Sequence, residues 1–280
     1  MAGIVLEGGT FRPIFSAGIM DALLEESIMF PYCIGVSAGI SFGVSYISKQ
    51  KGRNLEVLLN CRRDKRYIGT RNLIKCHSLF GLDFVYDEVP NKLYPFDWDT
   101  FLQYDGRALV GVTNAETGKA EYLNALEMDK KCTMLQATCA MPLFFPAINC
   151  NDSKYYDGGL ADSIPIRKAI ADGNEKNLIV LTRPKGYRRT LGRDSKIAMR
   201  LLRNKYPAMV EVIRERPDMY NETVDFCEEL EREGKAVILR PDYTVESMEK
   251  DLAVLESNYK HGYDMAMKQM DVIKKLFDKK

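Results

Sequence analysis

Apolar positions along this chain fall into short runs of four or five residues, separated by longer stretches in which they recur every three or four positions. Residues 3–6 form the first run, ending in Glu7-Gly8-Gly9, and Pro13 then opens a helix-like stretch through residue 26. Proline suits a first helical turn because the N–H it lacks would have no partner there. Residues 32–36 are the next run, followed at once by a helical pattern from Ala38 to about Ser48. Strand, loop, helix, strand, turn, helix is the grammar of a parallel sheet flanked by helices. Residues 107–113 and 119–123 read as two strands joined through a turn at 114–118. Residues 147–149 and 154–156 read as a hairpin around Asn151-Asp152-Ser153, and 178–182 as a buried strand. Helical patterns cover 128–140 and 166–171, while 52–105 is charged and irregular. After Ser195 the chain is mostly helix, broken at Pro207 and Pro217, with one strand at 236–239 and an amphipathic end over 248–279 interrupted at Gly262. With no repeat, low-complexity tract or linker, the pattern predicts a single α/β domain over residues 1–280.

Composition narrows the picture without changing it. A net charge of +1 over 280 residues gives no field that would favour nucleic acid. The seven cysteines form no C-x-x-C pair, which argues against a zinc site or a disulfide framework and for reduced thiols in a cytoplasmic protein. A strand that starts at the first residues leaves no room for a signal peptide. Residues 27–48 and 132–151 carry no charge, but prolines at 31, 142 and 146 and glycines at 35, 39 and 43 mark them as buried strand-turn-helix rather than membrane spans.

Three motifs carry candidate chemistry. Gly35-Val36-Ser37-Ala38-Gly39 is a G-x-S-x-G pentapeptide between an apolar strand and a helix, the setting of a nucleophile elbow. There the serine takes a strained turn, its neighbours must be small, and the following helix aims its positive dipole end at it. The second motif, Gly8-Gly9-Thr10 with Arg12 and Pro13, offers backbone N–H groups to an anion after the first strand, with neither the spacing of a dinucleotide site nor the Lys of a P-loop. The third is Asp157-Gly158-Gly159 at a strand end, which by itself also describes a plain Asp-Gly turn; Asp162 reads as a helix N-cap or turn residue. The two histidines are His77, with no acidic neighbour, and His261, which follows the Ser-Asp-His chain order but falls in a helical region rather than on a loop.

Together with the segment ATCAMPLFFPAI (137–148), these blocks resemble the patatin-like phospholipases, of the bacterial type, over about residues 1–170; the helical part at about 195–280 is similar only in general character. The resemblance implies a three-layer α/β/α fold with a mainly parallel central sheet, and a Ser-Asp dyad that works without histidine. It implies Ser37 as nucleophile and Asp157 as base, with oxyanion donors among the amides of Gly8, Gly9, Thr10 and Ala38. Arg12, Gly35, Gly39, Gly158 and Gly159 would be supporting residues, and no metal or cofactor is implied. The expected activity is hydrolysis of lipid or phospholipid esters. The chain departs from the family pattern at Thr10, where a third glycine is usual and a β-branched residue at positive φ is strained, and at Pro13, which removes a donor. These departures also fit a non-catalytic lipid or acyl-ligand binder on the same fold. Residues 61–75, with six basic residues interleaved with Tyr67, Ile68, Leu73 and Ile74, are a candidate for peripheral membrane contact as well as a plain solvated basic face.

Overall fold

The short apolar runs become the strands of one eight-stranded sheet. The computed structural model describes residues 1–278, and of Cys76 the main chain alone. In chain order the elements begin β1 (Ala2–Leu6), α1 (Ile14–Glu25), β2 (Tyr32–Val36), α2 (Ser37–Ile47), α3 (Arg53–Cys61) and α4 (Thr70–Cys76). A π-helical segment (Phe84–Leu93) and α5 (Trp98–Leu102) lead into the hairpin of β3 (Arg107–Asn114) and β4 (Ala120–Asn124). Then come α6 (Thr133–Thr138), β5 (Ile148–Cys150), β6 (Ser153–Asp157), α7 (Ile166–Ala171) and β7 (Lys176–Val180). The chain closes with α8 (Arg193–Leu202), α9 (Ala208–Arg232), β8 (Ala236–Leu239), α10 (Leu252–Lys268) and α11 (Met270–Lys274).

The sheet order is β5-β6-β3-β2-β1-β7-β8, with β4 on the far edge of β3. The five strands from β3 to β8 pair in parallel, and β4, β5 and β6 pair antiparallel. The sheet is therefore mixed and mostly parallel. Its central strands are apolar on both sides, as a sheet covered twice requires. Ile4 and Leu6 of β1 join one core with Cys33, Val110 and Val180, under α1, α2 and α11. Val5 points the other way, into a second core with Ile34, Leu109 and Ile179, under α7 and α9. This alternation is the three-layer α/β/α arrangement expected from the motifs.

The C-terminal helices are built into these layers. Helix α10 crosses α1 closely enough that a Cβ on Gly18 would lie 2.0 Å from the Tyr259 carbonyl oxygen, and one on Gly262 would lie 2.0 Å from that of Phe15. Gly262 is thus a packing residue within α10, and the break expected there falls at Gln269 instead. Helix α9 likewise runs through Pro217. A proline inside a helix costs about 3 kcal/mol, but α9 buries Ile213, Pro217, Tyr220, Val224 and Cys227 along one face, and that packing keeps it continuous. The helix expected over 128–140 is shorter, because a turn with Cys132 at φ 51° precedes α6. No helix among the described residues is long and apolar enough to cross a membrane; the two uncharged stretches form β2–α2 and α6–β5.

The helix crossing is testable. Gly18→Ala and Gly262→Ala should each lose about 3 kcal/mol of stability in urea unfolding, since backbone atoms cannot swing aside as side chains do. Gly192→Ala, where an added Cβ meets nothing within 4 Å, should change the midpoint little.

Candidate active site

Strands β2 and β6 share one edge of β3, and this brings Ser37 and Asp157 together. Residues 109–111 of β3 pair with β2 on one side and β4 on the other. Residues 112–113 pair with β4 and with β6, so β6 continues the edge that β2 leaves. β2 runs up β3 to Val36 opposite Gly111, and β6 runs down it to Asp157 opposite Val112. Their carboxyl ends abut, and the residue after Val36 is Ser37. The close approach needs Gly158, where a Cβ would sit 2.1 Å from the Gly111 carbonyl oxygen.

Ser37 turns sharply between β2 and α2 with φ 52°, and it is 9% exposed. Gly35 lies within β2, while Gly39 lets α2 press on the end of β1, since a Cβ there would lie 2.5 Å from the Glu7 carbonyl oxygen. The Ser37 amide donates to Thr138 Oγ1 (2.8 Å), and the Thr138 hydroxyl donates to the Gly111 carbonyl (2.5 Å). Thr138 therefore pins the turn to β3 and takes the Ser37 N–H out of play. The Ser37 hydroxyl faces the Asp157 carboxylate as a hydrogen-bond partner. Asp157 is 3% exposed and accepts from the Gly159 N–H at 2.8 Å. Burial pushes its carboxyl above the ordinary value of 3.8, against the pull of Arg216, the Ser37 hydroxyl, the Gly159 N–H and Arg189.

The glycine loop lies against the serine: a side chain at Gly8 would begin 2.6 Å from the Ser37 Cβ. The amides of Gly8, Gly9 and Thr10 have no protein acceptor among the described residues, and the Ala38 amide, second in α2, has no intrahelical one. Thr10 takes φ 58°, the strained conformation anticipated from its β-branched side chain, directly after Gly9 at φ 148°. The loop is held from behind. Arg12 packs under Gly9 and donates from Nε to Thr182 Oγ1 (3.3 Å), and Thr182 donates to the Gly8 carbonyl (2.9 Å). Buried Glu7 accepts from the Thr182 N–H (2.5 Å) and the Tyr220 hydroxyl (3.0 Å). Pro13 directly precedes α1.

Two cavities meet at the pair, and Ser37 and Asp157 line both. One, of about 390 Å³, runs inward between apolar walls that include Phe42, Tyr86, Phe96, Leu135 and Phe145. The other, of about 430 Å³, is lined on its polar side by Arg12, Arg183, Arg189 and Arg216. Arg216 donates from Nε to the Gly159 carbonyl at 2.7 Å.

Neither histidine lines either of these two cavities. His261 sits on α10 between the rings of Phe15 and Tyr243, and His77 is an exposed residue at the end of α4. Asp162 is a turn residue rather than a helix cap: it accepts from the Ile164 N–H and, at 2.6 Å, from the Tyr122 hydroxyl, and α7 starts after Pro165. In the basic segment, Arg62 is buried, bonded to the Met248 and Glu249 carbonyls, and Arg66 pairs with Asp64 and Glu88. Arg63, Lys65, Arg71, Ile74 and Lys75 remain exposed. Sequence reasoning missed Thr138 and three of the arginines. For two of these, the signal was the run TRPKGYRR (182–189), with four basic residues in eight.

A family model described as Patatin-like phospholipase matches residues 4–170, and one described as a domain of unknown function (DUF6363) matches 206–278. Among curated proteins, the chain is 23% identical over 195 residues to the uncharacterized protein YjjU of Escherichia coli K12, covering 65% of this chain and 52% of that protein. It is 25% identical to the probable lipid hydrolase 463L of Invertebrate iridescent virus 6 (62% of this chain, 65% of that protein). It is 24% identical to the cGAMP-activated phospholipase of Pseudomonas aeruginosa (58% and 53%). The chain thus spans between half and two thirds of the length of these relatives. Among solved structures, VipD from Legionella pneumophila aligns with a TM-score of 0.48 at 15% identity, covering 96% of this chain and 66% of that one.

The Thr138 bridge predicts a stability cost. Thr138→Val strips two buried backbone groups of their partner and should cost about 2–4 kcal/mol in chemical denaturation, whereas Thr138→Ser, which keeps the hydroxyl, should cost about 1 kcal/mol.

Proposed function

This chain belongs to the patatin-like phospholipase family, and from that premise we propose that it is a serine acyl hydrolase of lipid esters, with Ser37 as nucleophile and Asp157 as its general base. The observation that carries this reading is the abutment of β2 and β6, which sets a strained serine against a buried carboxylate at the mouth of an apolar cavity. Two relatives bear the names of a lipid hydrolase and a phospholipase, in keeping with it.

The steps follow from the groups present. Ser37 Oγ attacks the ester carbonyl carbon and its proton passes to Asp157. An aspartate of ordinary pKa is a poor acceptor for a hydroxyl proton, and burial makes Asp157 a better one. The carbonyl oxygen becomes an oxyanion facing the free amides of the glycine loop and the N-terminus of α2, each donor worth roughly 3–4 kcal/mol in other serine hydrolases. When the intermediate collapses, the C–O bond to the alcohol breaks and Asp157 returns the proton to the departing oxygen. Water then attacks the acyl-serine, giving up a proton to Asp157, which hands it back to Ser37 as the fatty acid leaves. The acyl chain occupies the apolar cavity. Strand β8 completes the same sheet, α9 lines the second cavity and α10 packs across α1, so both family-matched stretches act in this reading as one domain.

Ser37→Ala and Asp157→Asn should each abolish release of fatty acid or p-nitrophenol from acyl esters while the protein stays folded by circular dichroism; turnover surviving in Ser37→Ala would remove the dyad. A fluorophosphonate probe should label Ser37, whereas a binder without catalysis would leave it unmodified. Because Asp157 must be ionised to accept a proton and its pKa is raised, kcat/KM should decline with falling pH along a limb that lies above 3.8.

A lipid substrate brings the exposed basic face into the proposal. Arg63, Lys65, Arg71 and Lys75, with Ile74 83% exposed and Phe144 at the cavity rim, form a surface suited to anionic bilayers. Binding in liposome flotation should rise with anionic lipid content and fall with salt, and Ile74→Glu should reduce it; salt-insensitive or absent binding would retire this surface.

A further inference from the structure

The second cavity holds more positive charge than its surroundings neutralise. Arg12, Arg183, Arg189 and Arg216 face two inner carboxylates, Glu7 and Asp157, while Arg193 and Asp194 at the rim cancel. Two positive charges remain. Among the described residues no carboxylate lies within 4 Å of any of the four guanidinium groups. The Nε atoms of Arg183 and Arg189 are buried without a hydrogen-bond partner. Both side chains are nevertheless fixed, Arg183 stacked 4.4 Å over the Tyr187 ring and Arg189 4.6 Å over that of Tyr220.

This crowding works against the fold. Burial, then Arg189 and Arg12, bring the Arg216 pKa down to about 9 against the pull of Asp157, and burial with Arg183 and Arg189 brings Arg12 down to about 10 against that of Glu7. Both stay cationic at neutral pH. Like charges crowded into one cavity, with N–H donors unspent, are an arrangement that an anion relieves. Arginine's planar fork of donors matches the oxygens of a phosphate.

We propose that this cavity is a subsite for a phosphate carried on the leaving alcohol of the ester, with Arg183, Arg189 and Arg216 as its ligands, and that the excess of two charges selects a phosphate monoester dianion over a phosphodiester. The inference rests on the hydrolase reading, which sends the acyl chain into the apolar cavity and so leaves the arginine-lined one for the alcohol. Arg183 and Arg189 lie outside both family-matched stretches, and Arg216 lies in the one of unknown function.

The test compares kcat/KM for three esters with one acyl chain, dispersed in neutral detergent: a 1-acylglycerol 3-phosphate, the matching phosphocholine diester, and the uncharged 1-acylglycerol. The phosphate monoester should be preferred to the uncharged ester about tenfold or more, with the diester between them. Arg183→Gln and Arg189→Gln should each shrink that preference about tenfold. Inorganic phosphate should compete with the monoester and raise the melting temperature of wild-type and Ser37→Ala protein, and do so less in the arginine variants. No preference among the three esters, or variants that slow all three in proportion, would overturn the subsite. Phosphate binding without preference for the phosphate ester would overturn the leaving-group assignment in favour of a free-anion site. Phosphate binding to a protein that hydrolyses none of the esters would support the anion site while refuting the hydrolase.

Discussion

The site depends on one constraint of sheet geometry. A single edge of β3 is occupied by two strands end to end, one parallel and one antiparallel, and their carboxyl ends meet between Gly111 and Val112. Backbone hydrogen bonds, rather than side-chain packing, therefore set the separation of Ser37 and Asp157. The surrounding small residues follow from this. Gly158 allows the two chain ends to abut, Gly39 lets α2 start against β1, and Thr138 replaces the bonding that the interrupted ladder cannot supply. The main chain by itself brings Ser37 and Asp157 face to face.

From that junction the molecule divides by polarity. Helices α2, α3 and α6 and the π-helical segment line an apolar cavity, and α9 with the loop after β7 lines a cationic one. An amphiphilic ester has the same two halves, joined at the carbonyl carbon. The glycine loop sits at the boundary, braced on its far side by Glu7, Thr182 and Tyr220, so a buried polar network from three parts of the chain holds the amides beside Ser37.

What the sequence made legible was local. G-x-S-x-G between strand and helix, the glycine pair after β1 and the Asp-Gly-Gly at a strand end each carry their geometry within a few residues, so the parallel frame and the residues at its edge could be read directly. Ser37 and Asp157 were paired by family resemblance; spacing alone left Asp157 as a turn. The remainder depended on distance along the chain. Arg216 reaches a carbonyl 57 residues away and Thr138 bonds an amide 101 residues away, and neither is marked by its neighbours. Local propensity makes Pro217 and Gly262 breaks, and tertiary packing overrides that propensity in both helices. The strain at Thr10 is legible because it is steric and local and needs no distant partner.

The wall of the apolar cavity contains the π-helical segment Phe84–Leu93, with Val85, Tyr86, Val89 and Pro90 on its lining. Such winding holds an additional residue in each turn relative to an α-helix. Losing one residue would return a turn to α geometry and swing the side chains beyond it by roughly 100° about the axis. The bore of the cavity is thus open to change by single insertions and deletions, leaving the strand junction with Ser37 and Asp157 untouched. The shape of this cavity can therefore evolve by a route that does not pass through the junction of β2 and β6.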